Sequence, residues 1–193
     1  MRFFQRLKSI PSALAWFIDD VLEGVFRHIP GRLGPFHIGF RLRSWYWRRK
    51  CHSFGDNVLI YENVRLYFPQ NISIGSNISI TDDCIISAHS DPGTGEITLG
   101  DDIFIGPGTY IYSSNHDYTT ENIKKNPQYT AAPVVLEGNN WIAAKSGILA
   151  GVTVGSGSVA AMGAIIVSDV PKNTLVAGVP AKMVKTIEKI SNG

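Results

Sequence analysis

Histidine is the side chain in this sequence best suited to proton transfer near neutral pH, and one of the five histidines stands in an unusual place. His116 lies in the run Ser114-Asn115-His116-Asp117, at the start of a polar segment, residues 117–133, that is rich in Asn, Lys, Tyr and Thr. Long segments of this kind are uncommon in compact domains and often carry function. Because a neutral imidazole can accept the proton of a hydroxyl group, His116 is a candidate general base.

Four further polar residues lie near this segment or in a second polar stretch, residues 87–98. Asn115 and Asp117 flank His116, where they could orient its ring or contact a substrate. His89 and Asp91 belong to the second stretch and are candidates for the same substrate pocket. Asn, Asp and their neighbours also favour turns, so turn formation is the alternative role for all four residues.

The elements that must position these residues follow from a six-residue repeat. From Leu136 an aliphatic or small apolar residue recurs every six positions, and a second, mostly small residue follows each one by four positions. This run comprises Leu136, Ile142, Ile148, Val154, Ala160 and Ile166. The same spacing of six occurs upstream in two runs, Ile74, Ile80, Ile86 and Leu99, Ile105, Ile111, and in a weaker one, Phe54, Ile60, Leu66. A period of six fits neither an amphipathic helix nor a simple hairpin sheet.

Short strands and turns that repeat with one inward side chain cannot bury that side chain alone, so they must stack into a solenoid. The sequence therefore predicts a parallel β-helix whose strands pair with the coils above and below. Gly often follows the leading residue, as in Leu99-Gly100 and Ile105-Gly106, where coils are expected to approach closely. The stretch 87–98 could be an irregular pair of repeats, whereas the segment 117–133 is predicted to be an extruded loop.

Three regions are predicted: an N-terminal helical, basic extension (1–53), the β-helix (54–178), and a C-terminal helix and tail (179–193). Residues 1–50 contain ten Lys or Arg and three Asp or Glu, so this end carries +7 and the rest −5. Helical periodicity interrupted by Pro11, Pro30 and Pro35 predicts two or three short helices there. They could cap the open end of the β-helix or contact anionic lipid headgroups, and both roles could coexist.

Several classes of protein are disfavoured. No stretch reaches the roughly 20 apolar residues that cross a bilayer, and the N-terminus lacks the pattern of a signal peptide. These features predict a cytoplasmic protein, with the inner face of the plasma membrane as a further peripheral location. No nucleic-acid-binding motif accompanies the basic charge. Cys51 and Cys84 are too few for a disulfide framework, and Cys84 is expected to be a buried apolar residue.

Three segments together resemble the hexapeptide-repeat acyltransferases, in particular the branch with maltose, galactoside and colanic-acid O-acetyltransferases. They are the repeats from Leu136 to Pro171, the run Ser114–Asp117, and Val176-Ala177-Gly178-Val179-Pro180-Ala181-Lys182. The resemblance covers about residues 54–187. It implies a left-handed β-helix, a homotrimer, and acetyl-CoA bound in a groove between subunits. It also implies that His116 is the catalytic base in a direct transfer without a covalent enzyme intermediate.

The resemblance further implies a set of donor-binding residues. They are Ala144, Met162, Val167, Ser168, Lys182 and Lys185, of which the lysines would meet the CoA phosphates. Trp141 corresponds to a position at the subunit boundary. This chain has Ala143 and Ala161 where the family often has Gly, and Ser168 where it often has Lys or Arg. The alanines would narrow the pantetheine channel, and Ser168 would remove one phosphate contact.

The resulting functional hypothesis is acetyl transfer from acetyl-CoA to a sugar hydroxyl, on a surface polysaccharide or its precursor. N-acetylation of an amino sugar is the close alternative, and a non-catalytic β-helix scaffold is the alternative from another class. A β-helix carbonic anhydrase would need three zinc-binding histidines. Only His89 and His116 lie in the repeat region, because His28, His37 and His52 precede it, so no metal is expected.

Overall fold

The computed structural model describes residues 12–31, 38–119 and 128–188 of the 193-residue chain. Two helices lie at the N-terminal end, α1 (Ser12–His28) and α2 (Ile38–Trp47), and a short 3₁₀ helix spans Pro69–Asn71. The predicted helical extension is thus confirmed for its described part, while residues 1–11 lie outside the described residues. Everything else that is regular in the described chain is short β-strand.

The strands are two to five residues long and follow one another around a triangular prism. They are β1 (Ser53–Phe54), β2 (Val58–Ile60), β3 (Arg65–Tyr67), β4 (Ile72–Ile74), β5 (Ile78–Ile80), β6 (Ile85–Ser87), β7 (Ile97–Leu99), β8 (Phe104–Ile105), β9 (Tyr110–Tyr112), β10 (Ser114–His116), β11 (Tyr129–Ala131), β12 (Val134–Leu136), β13 (Trp141–Ile142), β14 (Gly147–Ile148), β15 (Thr153–Val154), β16 (Val159–Ala160), β17 (Ile165–Ile166), β18 (Thr174–Ala177) and β19 (Lys182–Thr186).

Every third strand along the prism joins the same sheet. Sheet 1 has the order β1-β4-β7-β12-β15, sheet 2 the order β2-β5-β8-β13-β16-β18-β19, and sheet 3 the order β3-β6-β9-β14-β17. All pairs in these sheets are parallel except the last one, between β18 and β19. The parallel β-helix predicted from the six-residue repeat is confirmed.

The core is a column of the repeated side chains. From Ile60 to Ile166, each leading residue of the repeat is at most 4% exposed, and only Phe54, in the first coil, is partly buried. The second residue of each late repeat, such as Ser146 or Ala164, is buried as well. Cys84 is fully buried, as predicted. At about 25 cal/mol per Å² of buried apolar surface, this column is the main stabilising term.

The corners of the prism use residues that tolerate unusual backbone conformations. Asn57, Asn77, Asp102 and Asn139 occupy one corner in successive coils with positive φ, a region that Asn and Asp enter more readily than other side chains. The Asn57 amide donates to Asn77 Oδ1 (3.0 Å), and the Asn77 amide donates to Asp102 Oδ1 (3.1 Å). The backbone at Gly106 approaches the next coil so closely that an added Cβ would lie 2.5 Å from Ala144 N.

The two predicted interruptions differ in detail from expectation. Residues 88–96 form bends and turns around Pro92 and Gly93 rather than an irregular pair of repeats, and regular structure resumes at β7. The predicted loop 117–133 contains a strand, because β11 returns antiparallel to β10 and forms a hairpin. The outer part of this loop, residues 120–127, lies outside the described residues.

The N-terminal helices pack against the first coil, the arrangement expected for the capping alternative. Tyr46 and Trp47 of α2 join the core, and Leu22 and Phe26 of α1 pack against it. Arg43 of α2 is 1% exposed and connects α2 with β2 and α1, because its Nε donates to Ile60 O (2.7 Å) and its Nη1 to Phe26 O (3.2 Å). Its Nη2 lies 3.6 Å from a Glu62 carboxylate oxygen, so the buried charge is partly compensated.

The predicted C-terminal helix is wrong for its described part. Residues Lys182–Thr186 form β19, which pairs antiparallel with β18 at the end of sheet 2. An open sheet edge leaves unpaired backbone groups, and β19 satisfies those of β18. Val184 and Thr186 are β-branched residues that suit this strand better than a helix. Residues 189–193 lie outside the described residues.

None of the described helices is long and apolar enough to cross a membrane. The side of α1 that carries Leu14, Phe17, Val21 and Val25 is exposed, although the opposite side packs on the protein. The expected contact of residues 1–50 with anionic lipid, and the expected location of the protein, stay predictions.

The position of Arg43 leads to a test of the cap. Arg43→Met should lower the free energy of unfolding by about 3 kcal/mol, because buried carbonyls and Glu62 lose a charged donor. Hydrogen exchange should show the loss of protection in α1 and α2 rather than in β14–β17. The exposed Arg41 on the same helix is the matched control, and an equal effect of Arg41→Met would contradict this role.

Candidate active site

Both interruptions of the repeat leave the prism at one corner, in adjacent coils. Sheet 3 places Tyr67, Ser87 and Tyr112 side by side at the ends of β3, β6 and β9. The chain that follows Ser87 carries His89, and the chain that follows Tyr112 carries His116. The parallel register therefore brings together two histidines that lie 27 positions apart in the sequence.

A cavity of about 560 Å³ lies at this corner, within the size range of small-molecule sites. Three of the predicted site residues line it: His89, Asn115 and His116. The other lining residues are Phe68, Ser87, Ala88, Ser90, Tyr112, Ser114, Tyr129 and Leu149. None of the lining residues that the structure describes is Asp, Glu, Lys or Arg.

The β10–β11 hairpin presents His116. His116 is the register partner of Tyr129, and their ring centroids are 4.5 Å apart with planes tilted by 39°. The imidazole is exposed, and neither ring nitrogen is hydrogen-bonded to another residue that the structure describes. A ring that contacts an aromatic neighbour and lines a cavity can accept a proton from a bound molecule.

His89 is held from several directions. Its Nδ1 lies 3.3 Å from the backbone N–H of Asp91 and 3.1 Å from Thr94 Oγ1. Asn71, which is buried, donates to His89 O (2.8 Å) and to Ser90 O (3.3 Å), and fixes the backbone. The His89 ring also lies 6.2 Å from the ring centroid of Tyr129. With Nδ1 engaged by the turn, Nε2 is the nitrogen available to the cavity.

Asp91 and Asp117, also predicted as substrate contacts, do not line the cavity. Asp91 forms the turn that holds His89, since its carbonyl accepts from Thr94 Oγ1 (2.8 Å). The carboxylate of Asp117 accepts from Thr119 N (2.9 Å) and Thr119 Oγ1 (2.6 Å). These hydrogen bonds lower the pKa of the Asp117 carboxyl, because they favour its charged form. The geometry thus supports turn formation for both residues.

The residues predicted to bind the donor lie on the later coils. Ala144 and Met162 lie at the corner of the prism that precedes strands β14 and β17 of sheet 3. They are in successive coils, since Gly163 N donates to Ala144 O (3.0 Å). Val167 and Ser168 lie at the corner that follows β17, one coil beyond Leu149 of the cavity, whose N–H donates to Ile166 O (3.1 Å). Met162 and Val167 are exposed, at 73% and 47%.

The two lysines predicted to bind the CoA phosphates lie at different distances from the four donor residues on the coils. Lys182 follows Ala181, whose N–H donates to Ile165 O (2.7 Å), so Lys182 lies beside the end of sheet 3. Lys185 pairs with Leu175 further along β19, in sheet 2. Both are exposed. The roles of these lysines, and of the four donor residues on the coils, stay predictions.

The described cysteines offer no reactive thiolate. Burial raises the pKa of the Cys84 thiol to about 11 and that of Cys51 to about 12, so both remain protonated near neutral pH. Within the described ranges, no three His, Cys, Asp or Glu side chains come together as metal ligands.

Eight lining residues were not predicted as site residues, and the four with the largest side chains are Phe68, Tyr112, Tyr129 and Leu149. Tyr112 and Leu149 occupy outward positions of the repeat, and only the register between stacked coils shows that they lie close together. The position of Tyr129 in the cavity likewise becomes visible only from the register of the hairpin. Phe68 has the left-handed backbone conformation (φ 53°, ψ 53°), which is unusual for an aromatic residue and is not readable from its position before Pro69.

Known proteins resemble the chain in sequence. A provisionally named acetyltransferase of Saccharomyces cerevisiae is 31% identical over 145 residues, which cover 75% of this chain and 71% of the relative. Galactoside O-acetyltransferase of Escherichia coli is 30% identical, with 69% of this chain and 63% of the relative covered. A provisionally named colanic acid biosynthesis acetyltransferase of Escherichia coli is 26% identical, with 76% and 75% covered. No protein-family model matches the chain.

Solved structures resemble it as well. A hexapeptide-repeat-containing acetyltransferase of Vibrio cholerae, in complex with acetyl coenzyme A, superimposes with a TM-score of 0.74 at 25% identity, covering 89% of this chain and 86% of the other. Galactoside acetyltransferase in complex with coenzyme A gives 0.75 at 25% identity, covering 93% and 85%. The fold class is the left-handed parallel β-helix, as predicted.

The position of Asn71 leads to a test of the cavity wall. Asn71→Ala should loosen residues 88–91, because two backbone carbonyls lose their donor, at a cost of about 1 kcal/mol each. Hydrogen exchange of the segment 87–97 should then rise about thirtyfold. Asn57→Ala, at an exposed corner, is the control. Unchanged hydrogen exchange in Asn71→Ala would contradict this role and show that the turn is stable without the Asn71 side chain.

Proposed function

This chain belongs to the hexapeptide-repeat acetyltransferases, and we propose that it moves the acetyl group of acetyl-CoA to a hydroxyl group of a sugar, with His116 as the general base. The observation that carries the proposal is the cavity that His116 lines beside aromatic side chains, where its ring nitrogens are not hydrogen-bonded to any residue that the structure describes. An aromatic wall suits the apolar face of a sugar ring, and the imidazole suits its hydroxyl.

The reaction needs little from the protein beyond position and proton transfer. The His116 imidazole accepts the proton as the sugar oxygen attacks the thioester carbonyl carbon. The new C–O bond forms, the carbon–sulfur bond breaks, and the CoA sulfur leaves with the proton from the imidazolium. Because the thioester is already activated, no covalent enzyme intermediate is required, in keeping with the two protonated cysteines.

The donor is proposed to lie along the later coils of sheet 3. Ile165 forms the outward surface there, between the corners marked by Ala144 with Met162 and by Val167 with Ser168, and its side chain lies over the buried Gly147. This surface is apolar, which suits the extended chain of a pantetheine arm. Val167 lies one coil from Leu149, so the thioester end would point into the cavity.

The cavity supports a hydroxyl acceptor over an amine. An amino sugar is a cation near neutral pH, and a site for it would gain from a facing carboxylate. The lining residues in the described ranges include none, and the Asp117 carboxylate is held by Thr119. We therefore propose O-acetylation. A role in surface polysaccharide synthesis is proposed from the colanic acid relative.

Replacing His116 tests the base. His116→Ala should lower kcat/KM for acetyl transfer at least about a hundredfold, as expected for loss of general-base catalysis. Release of free CoA from acetyl-CoA, measured with a panel of sugars, reports the reaction. Asp117→Asn is the matched control: Asn can still form the turn, so kcat/KM should change by less than about threefold.

Two outcomes would contradict this assignment. If His116→Ala and the native chain release CoA at equal rates with a sugar, His116 is not the base. If Asp117→Asn is as inactive as His116→Ala, the aspartate acts in the reaction rather than in the turn. Acetylation of amino sugars alone would favour the N-acetyltransferase alternative.

We also propose a homotrimer, supported by an asymmetry between the faces of the prism. The outer side of sheet 2 carries Leu59, Phe104 and Trp141 in aligned strands, at 37%, 46% and 54% exposure. The outer side of sheet 1 carries mostly Ser and Thr, such as Ser73 and Thr98. Ser79 lies between Leu59 and Phe104 in this row, while Phe104 and Trp141 are direct neighbours. Exposed apolar side chains that cluster in this way mark an interaction site, and further copies of this chain would cover them.

The trimer is tested by a charge on the apolar face. Trp141→Asp should shift the mass measured by light scattering from three chains to one, because burying the carboxylate is costly. Thr98→Asp, on the polar face, should leave three chains together. A native chain that is monomeric at micromolar concentration would contradict the proposal.

A further inference from the structure

A second cavity, of about 620 Å³, adjoins the cavity of His116. The two share Phe68 and Ser90, so they are neighbouring compartments with a common boundary. Its other lining residues are Asp19, Asp20, Glu23, Trp47, Lys50, Leu66, Tyr67, Pro69 and Gln70. The cap helix α1 thus forms one wall, and the end of β3 with the following turn forms the other.

The walls of the second cavity combine aromatic and polar groups. Tyr67 and Phe68 are exposed at 46% and 44%, so their rings remain free to contact a ligand. Asp19 is partly engaged, because it forms an ion pair with Lys50 and its Oδ1 accepts from Tyr46 (3.2 Å). Aromatic faces that stack on a ring, beside carboxylate and amide groups that bond hydroxyls, are suited to a carbohydrate.

The charges disfavour a phosphorylated ligand in this compartment. Its described lining residues include three carboxylates and one ammonium group; Lys50 is paired with Asp19 and Arg27 lies 3.8 Å from Glu23, so Asp20 leaves a net negative charge. A phosphate or diphosphate would face net negative charge at short range. The chemistry of the walls therefore fits a neutral saccharide better than the nucleotide part of a sugar nucleotide.

Phe68 lies at the boundary between the two compartments. Its backbone conformation is one that bulky residues rarely adopt. Its left-handed φ and ψ are held by the turn that follows, where Asn71 N donates to Phe68 O (2.9 Å). The conformation leaves the ring at the boundary, within reach of molecules in both cavities. Unusual backbone conformations in bulky residues are often maintained at ligand sites.

We propose that the second cavity is a subsite for a neighbouring sugar ring, so that the acceptor is an oligosaccharide with its reacting ring beside His116. This inference rests on the proposed acetyl transfer to a sugar. The adjoining ring stacks on Tyr67, and its hydroxyls donate to Asp20 and Glu23. The substrate class is thereby a neutral glycan chain of at least two rings rather than a single sugar.

Paired acceptors of different length test the subsite. The native chain should acetylate lactose with a kcat/KM about tenfold above that of methyl β-galactoside, and maltotriose should exceed maltose similarly. Tyr67→Ala should reduce this ratio of kcat/KM from about tenfold to about one, because the substitution removes the stacking surface. Tyr110→Ala is the matched control, an exposed tyrosine of the same sheet that lines neither cavity.

Direct binding keeps the result independent of turnover. Saturation-transfer NMR on His116→Ala should show contacts to both rings of lactose, and Tyr67→Ala in that background should weaken those to one ring. Equal kcat/KM for long and short acceptors, contact to one ring only, or no saccharide binding overturns the subsite. His116-dependent transfer to single sugars would persist in the first two cases, which leaves the proposed function standing.

Discussion

No strand of this β-helix can satisfy its backbone within its own coil, since each is only two to five residues long and its partners lie one coil above and below. Hydrogen bonding therefore runs along the axis of the prism, and each inward side chain must fit both neighbours. Ile105, for example, is fully buried between the coils of Ile80 and Ile142. The solenoid is therefore stable only when its coils stack, and both the capping of its ends and the position of its insertions depend on that stacking.

The two ends of the stack show the same requirement in different forms. At the first coil, α2 and the buried Arg43 cover the chain and bond the carbonyl of Ile60. At the last coil, β19 reverses direction and pairs with β18. A helix provides apolar cover and a strand provides hydrogen bonds, and both prevent the open end of a parallel stack from pairing with other chains.

The stack also decides where a binding site can form. Insertions are tolerated at corners, because the strands on either side can keep their register: β6 and β7 do so around the turn at Pro92, and β9 and β12 do so around the hairpin. Since both insertions leave after adjacent strands of sheet 3, they meet. The site thus has a rigid floor from the coils and walls from the insertions, and the cap helix extends these walls into the second cavity.

The sequence by itself determined the solenoid, a helical N-terminal extension and His116 as the candidate base. A strict six-residue period permits few folds, and a histidine at the start of a long insertion is visible without any structure. The C-terminal strand was not predicted, because it forms by pairing with the open edge of β18, a tertiary contact that the sequence does not display. Only the tertiary structure decided the pocket: Tyr129, Phe68 and Leu149 meet His116 through stacking register and hairpin pairing, which depend on contacts distant in sequence. It also revealed the hydrogen bonds that support turn formation at Asp91 and Asp117, since the partners of a carboxylate or carbonyl depend on the fold around it.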